Sequence, residues 1–156
     1  MLEIIVPGRK TYRLRNLVLD LNGTVALDGE MVVGVEERLR RLSACLNITV
    51  VTADTHGTAG RLGESLAFSI RGISGGGESA QKLSVVQDAG WEETVSIGNG
   101  CNDVLMLKES ALGICVIGAE GAAPEAVTGS DVVVRDINDA LDLLLFPDRL
   151  VATLRR

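Results

Sequence analysis

The chain has 156 residues and a net charge of −6, and 46% of its residues are hydrophobic while only 3% are aromatic. This length allows a sizeable, mainly aliphatic core, and the acidic balance argues against a general nucleic-acid binder, which would show a basic stripe. The 3 cysteines form no CxxC pair, so neither a disulfide framework nor a zinc site is indicated. The sequence shows no signal-peptide pattern and no apolar run of bilayer length, so we expect a cytoplasmic protein without a membrane partner.

The predicted elements begin with a hairpin and then alternate between strands and helices. Residues 2–6 and 11–14 are short β-like runs on either side of Pro7-Gly8. Further strands are predicted over residues 17–21, 48–52, 67–71, 94–98, 113–118 and 131–134. Helices are predicted over residues 35–46, 57–66, 79–88, 102–110, 122–128 and 137–145, with a final turn over 148–155 after Pro147.

This alternation predicts an α/β fold in which helix layers cover both faces of a parallel sheet. We interpret residues 1–156 as a single domain, with the hairpin at 1–16 and the core at 17–156. Right-handed crossovers place the carboxyl ends of parallel strands along one edge of the sheet. Ligands of such folds bind at that edge, so the strand ends are the place to look for a functional site.

Polar and charged residues follow the predicted central strands. The first strand ends at Asp20, and the second ends in Thr52-Ala53-Asp54. A glycine loop after the third leads to a helix that carries Lys82, and the fourth runs into the segment GNGCND at 98–103. A carboxylate, a hydroxyl, an ammonium and a second carboxylate are the groups that phosphoryl transfer needs. Their oxygens are also the hard ligands that Mg²⁺ prefers.

The order of these residues resembles the four motifs of the haloacid dehalogenase superfamily: DLNGT at 20–24, Thr52, Lys82 and GNGCND at 98–103. The resemblance covers nearly the whole chain and implies a three-layer, Rossmann-like core. TAD at 52–54 and GNGCNDVLML at 98–107 look like the TGD and GDGxND segments of P-type ATPases. The chain therefore resembles the small, soluble, P-type ATPase-like group of this superfamily, without a cap domain.

The resemblance implies that Asp20 is the nucleophile and becomes an aspartyl phosphate. Mg²⁺ would be the cofactor, held by Asp20, the backbone carbonyl of Asn22, and Asp103 with Asn99 beside it. Residues 25–33, with the turn Asp28-Gly29, would form the small hairpin flap that follows the nucleophile.

The resemblance also implies a set of phosphate-binding residues. Thr52 would donate a hydrogen bond to the phosphoryl oxygens, next to Ala53. Lys82 would neutralise charge on the phosphate and on the nucleophile. Gly23 would permit a tight turn, and Thr24 would support the phosphate-binding loop.

Two amides stand where phosphatases of this superfamily usually carry aspartates. Asn22 cannot exchange a proton usefully, and loss of a general acid–base typically costs about 10²- to 10⁴-fold in rate. Asn99 keeps an oxygen donor but loses a charge, so Mg²⁺ should bind more weakly. We therefore expect slow turnover that favours good leaving groups such as acyl or aryl phosphates.

The sequence leaves three classes of function open. Residues 21–51 are too few for the nucleotide domain of a P-type ATPase, and no cap domain fits after Thr52, so the site should be open. A phosphorylated small molecule or a macromolecular phosphosubstrate would reach it, or a second copy of the chain would close it as a homo-oligomer. The first class is a Mg²⁺-dependent phosphohydrolase or phosphotransferase. The others are an impaired phosphate- and metal-binding module and a receiver-like phosphoacceptor. The single histidine, His56, is either a polar loop residue or a proton-transfer group.

Overall fold

A computed structural model describes residues 1–53 and 68–156 of the chain. Its strands are β1 (Leu2–Ile5), β2 (Thr11–Leu14), β3 (Asn16–Asp20), β4 (Ala26–Leu27), β5 (Glu30–Met31), β6 (Asn47–Thr52), β7 (Ser69–Gly72), β8 (Thr94–Gly98), β9 (Leu112–Val116) and β10 (Val132–Val134). Its α-helices are α1 (Val35–Leu42), α2 (Glu78–Ala89), α3 (Val104–Glu109), α4 (Pro124–Gly129), α5 (Ile137–Leu145) and α6 (Pro147–Leu154). Short 3₁₀ turns lie at Trp91–Glu93 and Cys101–Asp103.

The central sheet has six strands in the order β10-β9-β8-β3-β6-β7, and every neighbouring pair is parallel. Strand β3 lies in the middle, with Leu17 opposite Ile48 on one side and Val95 on the other. These three side chains are buried because helices cover both faces of the sheet. The carboxyl ends of β3, β6 and β8 therefore lie next to one another at one edge.

The two faces of the sheet carry different helices. On one face, α1 buries Val35, Leu39 and Leu42 and packs beside α5 in the larger core cluster. On the other face, α2 and α3 pack together, and Val85 of α2 shares a second cluster with Val18 of the sheet. Helices thus lie on both faces of a parallel sheet, and this arrangement confirms the predicted three-layer α/β/α, Rossmann-like fold.

Two antiparallel ribbons accompany the sheet. Strands β1 and β2 pair with Leu2 opposite Leu14, so the predicted N-terminal hairpin is confirmed. Strands β4 and β5 pair directly after the first motif, within the segment predicted as a flap at 25–33. A left-handed residue, Asp28 with φ 51°, and Gly29 with φ 84° form its turn. The flap therefore begins right next to the end of β3.

The strand and helix predictions hold for the described residues, with shifts at their ends. The helix predicted over 35–46 is too long: α1 ends at Leu42, and residues 43–46 form turns. Leu46 is still buried, so the apolar spacing continues after the helix has ended, and periodicity alone cannot locate that end. The helix predicted over 102–110 begins as the 3₁₀ turn Cys101–Asp103. The helix predicted over 57–66, together with Asp54 and His56, lies outside the described residues.

Candidate active site

A buried ion cluster lies where β3, β8 and α2 meet. Lys82, on the second turn of α2, donates one hydrogen bond to Asp20 Oδ1 and one to Asp103 Oδ1, both at 2.6 Å. The exposed fractions of Lys82, Asp20 and Asp103 are only 2%, 7% and 0%. Three predicted site residues from three separate motifs are therefore in direct contact. Two carboxylates share one ammonium, which leaves one formal negative charge uncompensated.

The uncompensated charge changes how Asp20 ionises. Burial and the neighbouring Asp103 carboxylate raise the pKa of Asp20 from 3.8 to about 7, against the lowering by Lys82 and Thr24. Burial lowers the pKa of Lys82, but the two carboxylates outweigh it, so the pKa of Lys82 is raised above its ordinary value. The lysine therefore stays charged, and binding of a cation or a proton would stabilise the cluster.

The fourth motif is folded tightly around Asp103. The Asp103 Oδ2 atom accepts hydrogen bonds from the backbone N–H groups of Asn99 and Gly100, both at 2.9 Å. A Cβ atom at Gly98 would lie 2.5 Å from Asp103 Cγ, so only glycine lets the carboxylate lie against the end of β8. With Lys82 on its other oxygen, Asp103 has partners on both carboxylate oxygens.

Asn99 links three loops through its side-chain amide. Its Nδ2 group donates to the Gly121 carbonyl at 3.2 Å. Its Oδ1 atom lies 3.3 Å from Thr24 Oγ1, which lies 3.2 Å from Asp20 Oδ2 and can donate its single proton to either acceptor. An aspartate at position 99 could not donate to Gly121. The contact with Gly121 therefore gives a physical reason for the amide that the sequence leaves unexplained.

An open cavity of about 270 Å³ adjoins the cluster. Its lining residues are Asp20, Asn22, Ala53, Glu78, Lys82, Asn99, Gly100, Asn102 and Glu120. Asn22 is exposed at this cavity. Thr52 is buried at the end of β6, directly before the cavity-lining Ala53, and Thr24 is buried next to Asp20. The structure thus places every predicted site residue in or directly beside one site.

Sequence reasoning missed two acidic residues of this cavity. Glu78 lies four residues before Lys82, on the same helix face, and accepts a hydrogen bond from Asn102 Nδ2 at 2.8 Å. Glu120 follows β9, whose carboxyl end was not among the strand ends considered. Applying the strand-end rule to that fifth strand would have found it.

The oxygen donors at the cavity suit a magnesium ion in kind. Within residues 1–53 and 68–156, no group of three or more His, Cys, Asp or Glu side chains is arranged to hold a metal ion. Mg²⁺ usually keeps several waters and needs only one or two carboxylates. Asp20 provides a carboxylate at the cavity, where Asn22 and Asn99 add carbonyl or amide oxygens. Asp103 adds a second, fully buried carboxylate beside it, whose oxygens are bonded by Lys82 and by backbone N–H groups. The residues present therefore fit this ion.

Solved structures that share this fold include phosphatases and a protein described as a hydrolase. A 3-deoxy-D-manno-octulosonate 8-phosphate phosphatase from Moraxella catarrhalis, in complex with magnesium, phosphate and KDO, aligns with a TM-score of 0.66 and 16% identity over 92% of this chain and 95% of its own. The cobalt-bound phosphatase from Haemophilus influenzae aligns with a TM-score of 0.65 and 16% identity over 85% and 88% of the two chains. A protein from Legionella pneumophila, provisionally assigned to subfamily III A hydrolases, gives a TM-score of 0.72 and 15% identity over 91% and 87%.

The fold is therefore that of hydrolases of the haloacid dehalogenase superfamily, as the four motifs predict, and none of the described residues forms a cap domain. The chain belongs to the same family as the uncharacterized protein MJ0073 of Methanocaldococcus jannaschii. It is 51% identical to that protein over 84 residues, which are 51% of this chain and 90% of MJ0073. A second relative, uncharacterized protein MJ0072 of the same organism, is 49% identical over 39 residues, or 25% of this chain and 89% of its own.

No family model matches the chain. Among the helices of the described residues, none has both the length and the apolar character needed to span a bilayer.

Proposed function

We propose that the chain is a Mg²⁺-dependent phosphohydrolase or phosphotransferase that works through an aspartyl phosphate at Asp20. The observation that carries this proposal is the position of the Asp20 carboxylate. It lies at the end of a central strand, bonded to Lys82 and next to Asp103, and it lines an open cavity of about 270 Å³. The phosphatase neighbours with bound magnesium and phosphate or with cobalt support the same chemistry.

In this mechanism an Asp20 oxygen attacks the phosphorus of the substrate, and the bond from phosphorus to the leaving group breaks. The Lys82 ammonium stabilises the negative charge on Asp20 and on the transferring group. Thr52 and Ala53, at the end of β6, would bind the phosphoryl oxygens. Magnesium, held by Asp20, Asn22, Asn99 and Asp103, would supply charge neutralisation when bound.

Slow turnover belongs to the same proposal. Asn22 lies at the cavity, where it can orient a leaving group or a water but cannot take up or release a proton usefully. We therefore expect hydrolysis of acyl and aryl phosphates to be faster than hydrolysis of unactivated sugar phosphates, which need a proton donor. The open cavity would admit a small phosphate ester or a phosphorylated macromolecule, and a homo-oligomer that closes it stays a prediction.

A binding module without turnover is the second candidate, and the side chain of Asn99 favours it. The Asn99 amide bonds Gly121 and lies within hydrogen-bond distance of Thr24, so its place in the structure is accounted for without catalysis. A receiver-like phosphoacceptor is a third, since Asp20 could hold a phosphoryl group as a signal. The three proposals predict different outcomes once a phosphodonor such as acetyl phosphate has bound: turnover, no reaction, or a lasting adduct.

Steady-state phosphate release from acetyl phosphate and from p-nitrophenyl phosphate tests the enzyme proposal. The wild-type protein should release phosphate only when magnesium is present, and Asp20→Asn should abolish this release. Asp148→Asn, a change at an exposed aspartate of α6, is the matched control and should retain the rate. Phosphate binding without release in the wild-type protein would instead support the binding module.

A further inference from the structure

We propose that Glu120 is a catalytic residue whose carboxylate activates the water that hydrolyses the aspartyl phosphate at Asp20. This assignment rests on the proposed function and deepens it. It gives the chain a proton acceptor that its sequence lacks at position 22.

Glu120 lies on a tight turn that follows β9. The turn runs from Gly118 to Gly121, which pair as an isolated bridge, and the Gly121 N–H group donates to the Gly118 carbonyl at 2.9 Å. Gly121 has φ 79°, a conformation that L side chains rarely adopt. The turn therefore has a defined shape, with Ala119 and Glu120 at its tip.

This turn is packed against the loop that follows Asp20 and contains Gly23. A Cβ atom at Gly118 would lie 3.3 Å from the Gly23 carbonyl oxygen, and the Asn99 amide holds the Gly121 carbonyl at 3.2 Å. A Cβ atom at Gly23 would clash with the Glu120 carboxylate, whose Cδ atom would be only 2.9 Å away. The carboxylate thus fills the space that glycine leaves open at position 23, directly beside Asn22.

Glu120 also belongs to the lining of the cavity that contains Asp20. Glu120, Asn22 and the nucleophile Asp20 line the same cavity of about 270 Å³. Within the described part of the chain, no hydrogen bond or ion pair engages the Glu120 carboxylate. The other acidic residue of the rim, Glu78, is engaged by Asn102 at 2.8 Å. Among the described residues, Glu120 is therefore the exposed acidic residue of the rim whose carboxylate has no hydrogen-bond or ion-pair partner and can accept from a water molecule.

The step balances with the groups named. A water oxygen attacks the phosphorus of the aspartyl phosphate, and one water proton passes to the Glu120 carboxylate. The bond between phosphorus and the Asp20 oxygen breaks, and its electron pair returns to the Asp20 carboxylate. Phosphate leaves, and Glu120 then loses its proton to solvent through the open cavity.

The decay of the phosphoenzyme tests this assignment separately from its formation. Protein is loaded with acetyl phosphate and magnesium and freed of excess phosphodonor. The adduct is then followed by acid-quenched intact mass. We expect Glu120→Gln to form the adduct and to lose it about 10²-fold more slowly than the wild-type protein, the size expected for removal of a general base. Glu125→Gln, at an exposed position of α4 outside the cavity lining, should decay at the wild-type rate.

A second variant separates proton transfer from a change of shape. Adding Asn22→Asp to Glu120→Gln places a carboxylate at the neighbouring position and should restore decay at the wild-type rate or above it. If the adduct in Glu120→Gln decays at the wild-type rate, the assignment is overturned. It is also overturned if the double variant with Asn22→Asp decays as slowly as Glu120→Gln alone. If neither the wild-type protein nor any variant forms an adduct or releases phosphate, the aspartyl-phosphate proposal is refuted, and this assignment with it.

Discussion

The raised pKa of Asp20 predicts that the ionised Asp20 carboxylate lowers the stability of the folded protein, and Asp20→Asn tests this directly. Burial and the Asp103 carboxylate raise the pKa of Asp20 from 3.8 to about 7. Folding therefore favours the protonated carboxyl over the ionised one. A shift of one pKa unit corresponds to about 1.4 kcal/mol, so this shift is worth at most about 4 kcal/mol. An uncharged amide of the same shape should avoid this cost.

The sign of the pH dependence is set by proton binding. Below the unfolded pKa of 3.8, Asp20 is protonated in both states. Between there and about pH 7 the folded protein keeps a proton that the unfolded chain has lost. The free energy of unfolding of the wild-type protein should therefore fall as the pH rises, by up to about 1.4 kcal/mol per pH unit from this group. The raised pKa of Lys82 changes the free energy of unfolding only above pH 10.5, the ordinary pKa of lysine. Lys82 therefore adds no pH dependence below pH 7.

Urea unfolding followed by circular dichroism, with EDTA and fixed salt, measures the effect between about pH 5 and pH 8. The quantity of interest is the difference in free energy of unfolding between Asp20→Asn and the wild-type protein. This difference should grow with pH in favour of the variant, while the same difference for Asp148→Asn should stay flat. If this difference does not change with pH, or if Asp20→Asn is less stable than the wild-type protein near pH 8, the ionised Asp20 carboxylate does not destabilise the folded protein.

Three further substitutions test the contacts within the site. Lys82→Met leaves two buried carboxylates without their ammonium and should lower the free energy of unfolding by about 3–5 kcal/mol near pH 8. The loss should be smaller near pH 5, where one carboxyl can take up a proton, and urea unfolding at both pH values measures it. Gly98→Ala places a Cβ atom 2.5 Å from a carboxylate carbon and should cost about 1–3 kcal/mol, whereas Gly75→Ala, with nothing within 4 Å, should stay within about 0.5 kcal/mol by the same assay. Asn99→Asp removes the hydrogen-bond donor to Gly121 and should destabilise the metal-free protein by about 1–3 kcal/mol. Thermal unfolding with excess magnesium should show that part of this loss of stability is recovered. An Asn99→Asp protein as stable as the wild type without magnesium would contradict the linking role of the amide.

Much of the fold could be predicted because the central strands are buried on both faces. Their continuous apolar runs, such as residues 48–52, leave little ambiguity about where a strand lies. Since parallel strands end at one edge, Asp20 and the fourth motif could also be placed close together before any coordinates were known. The contacts of Lys82 with both carboxylates agree with that expectation.

The rest depends on contacts between residues far apart in the chain. The bond from Asn99 to Gly121 joins two loops 22 residues apart, and no local pattern in the sequence reveals it. Glu120 packs against the loop after Asp20 only because Gly23 has no side chain. This contact depends on how the two loops meet in the folded chain. The end of α1 at Leu42 was missed for the opposite reason, since the apolar spacing continues into turns that still bury Leu46.

Acid-quenched intact mass after incubation with magnesium and acetyl phosphate shows whether Asp20 accepts a phosphoryl group. We expect an added mass of one phosphoryl group that peptide mapping localises to Asp20. This adduct should be absent from Asp20→Asn and should be slowly converted to free phosphate. The contradicting result is a folded wild-type protein that shows neither an adduct nor phosphate release with magnesium in excess.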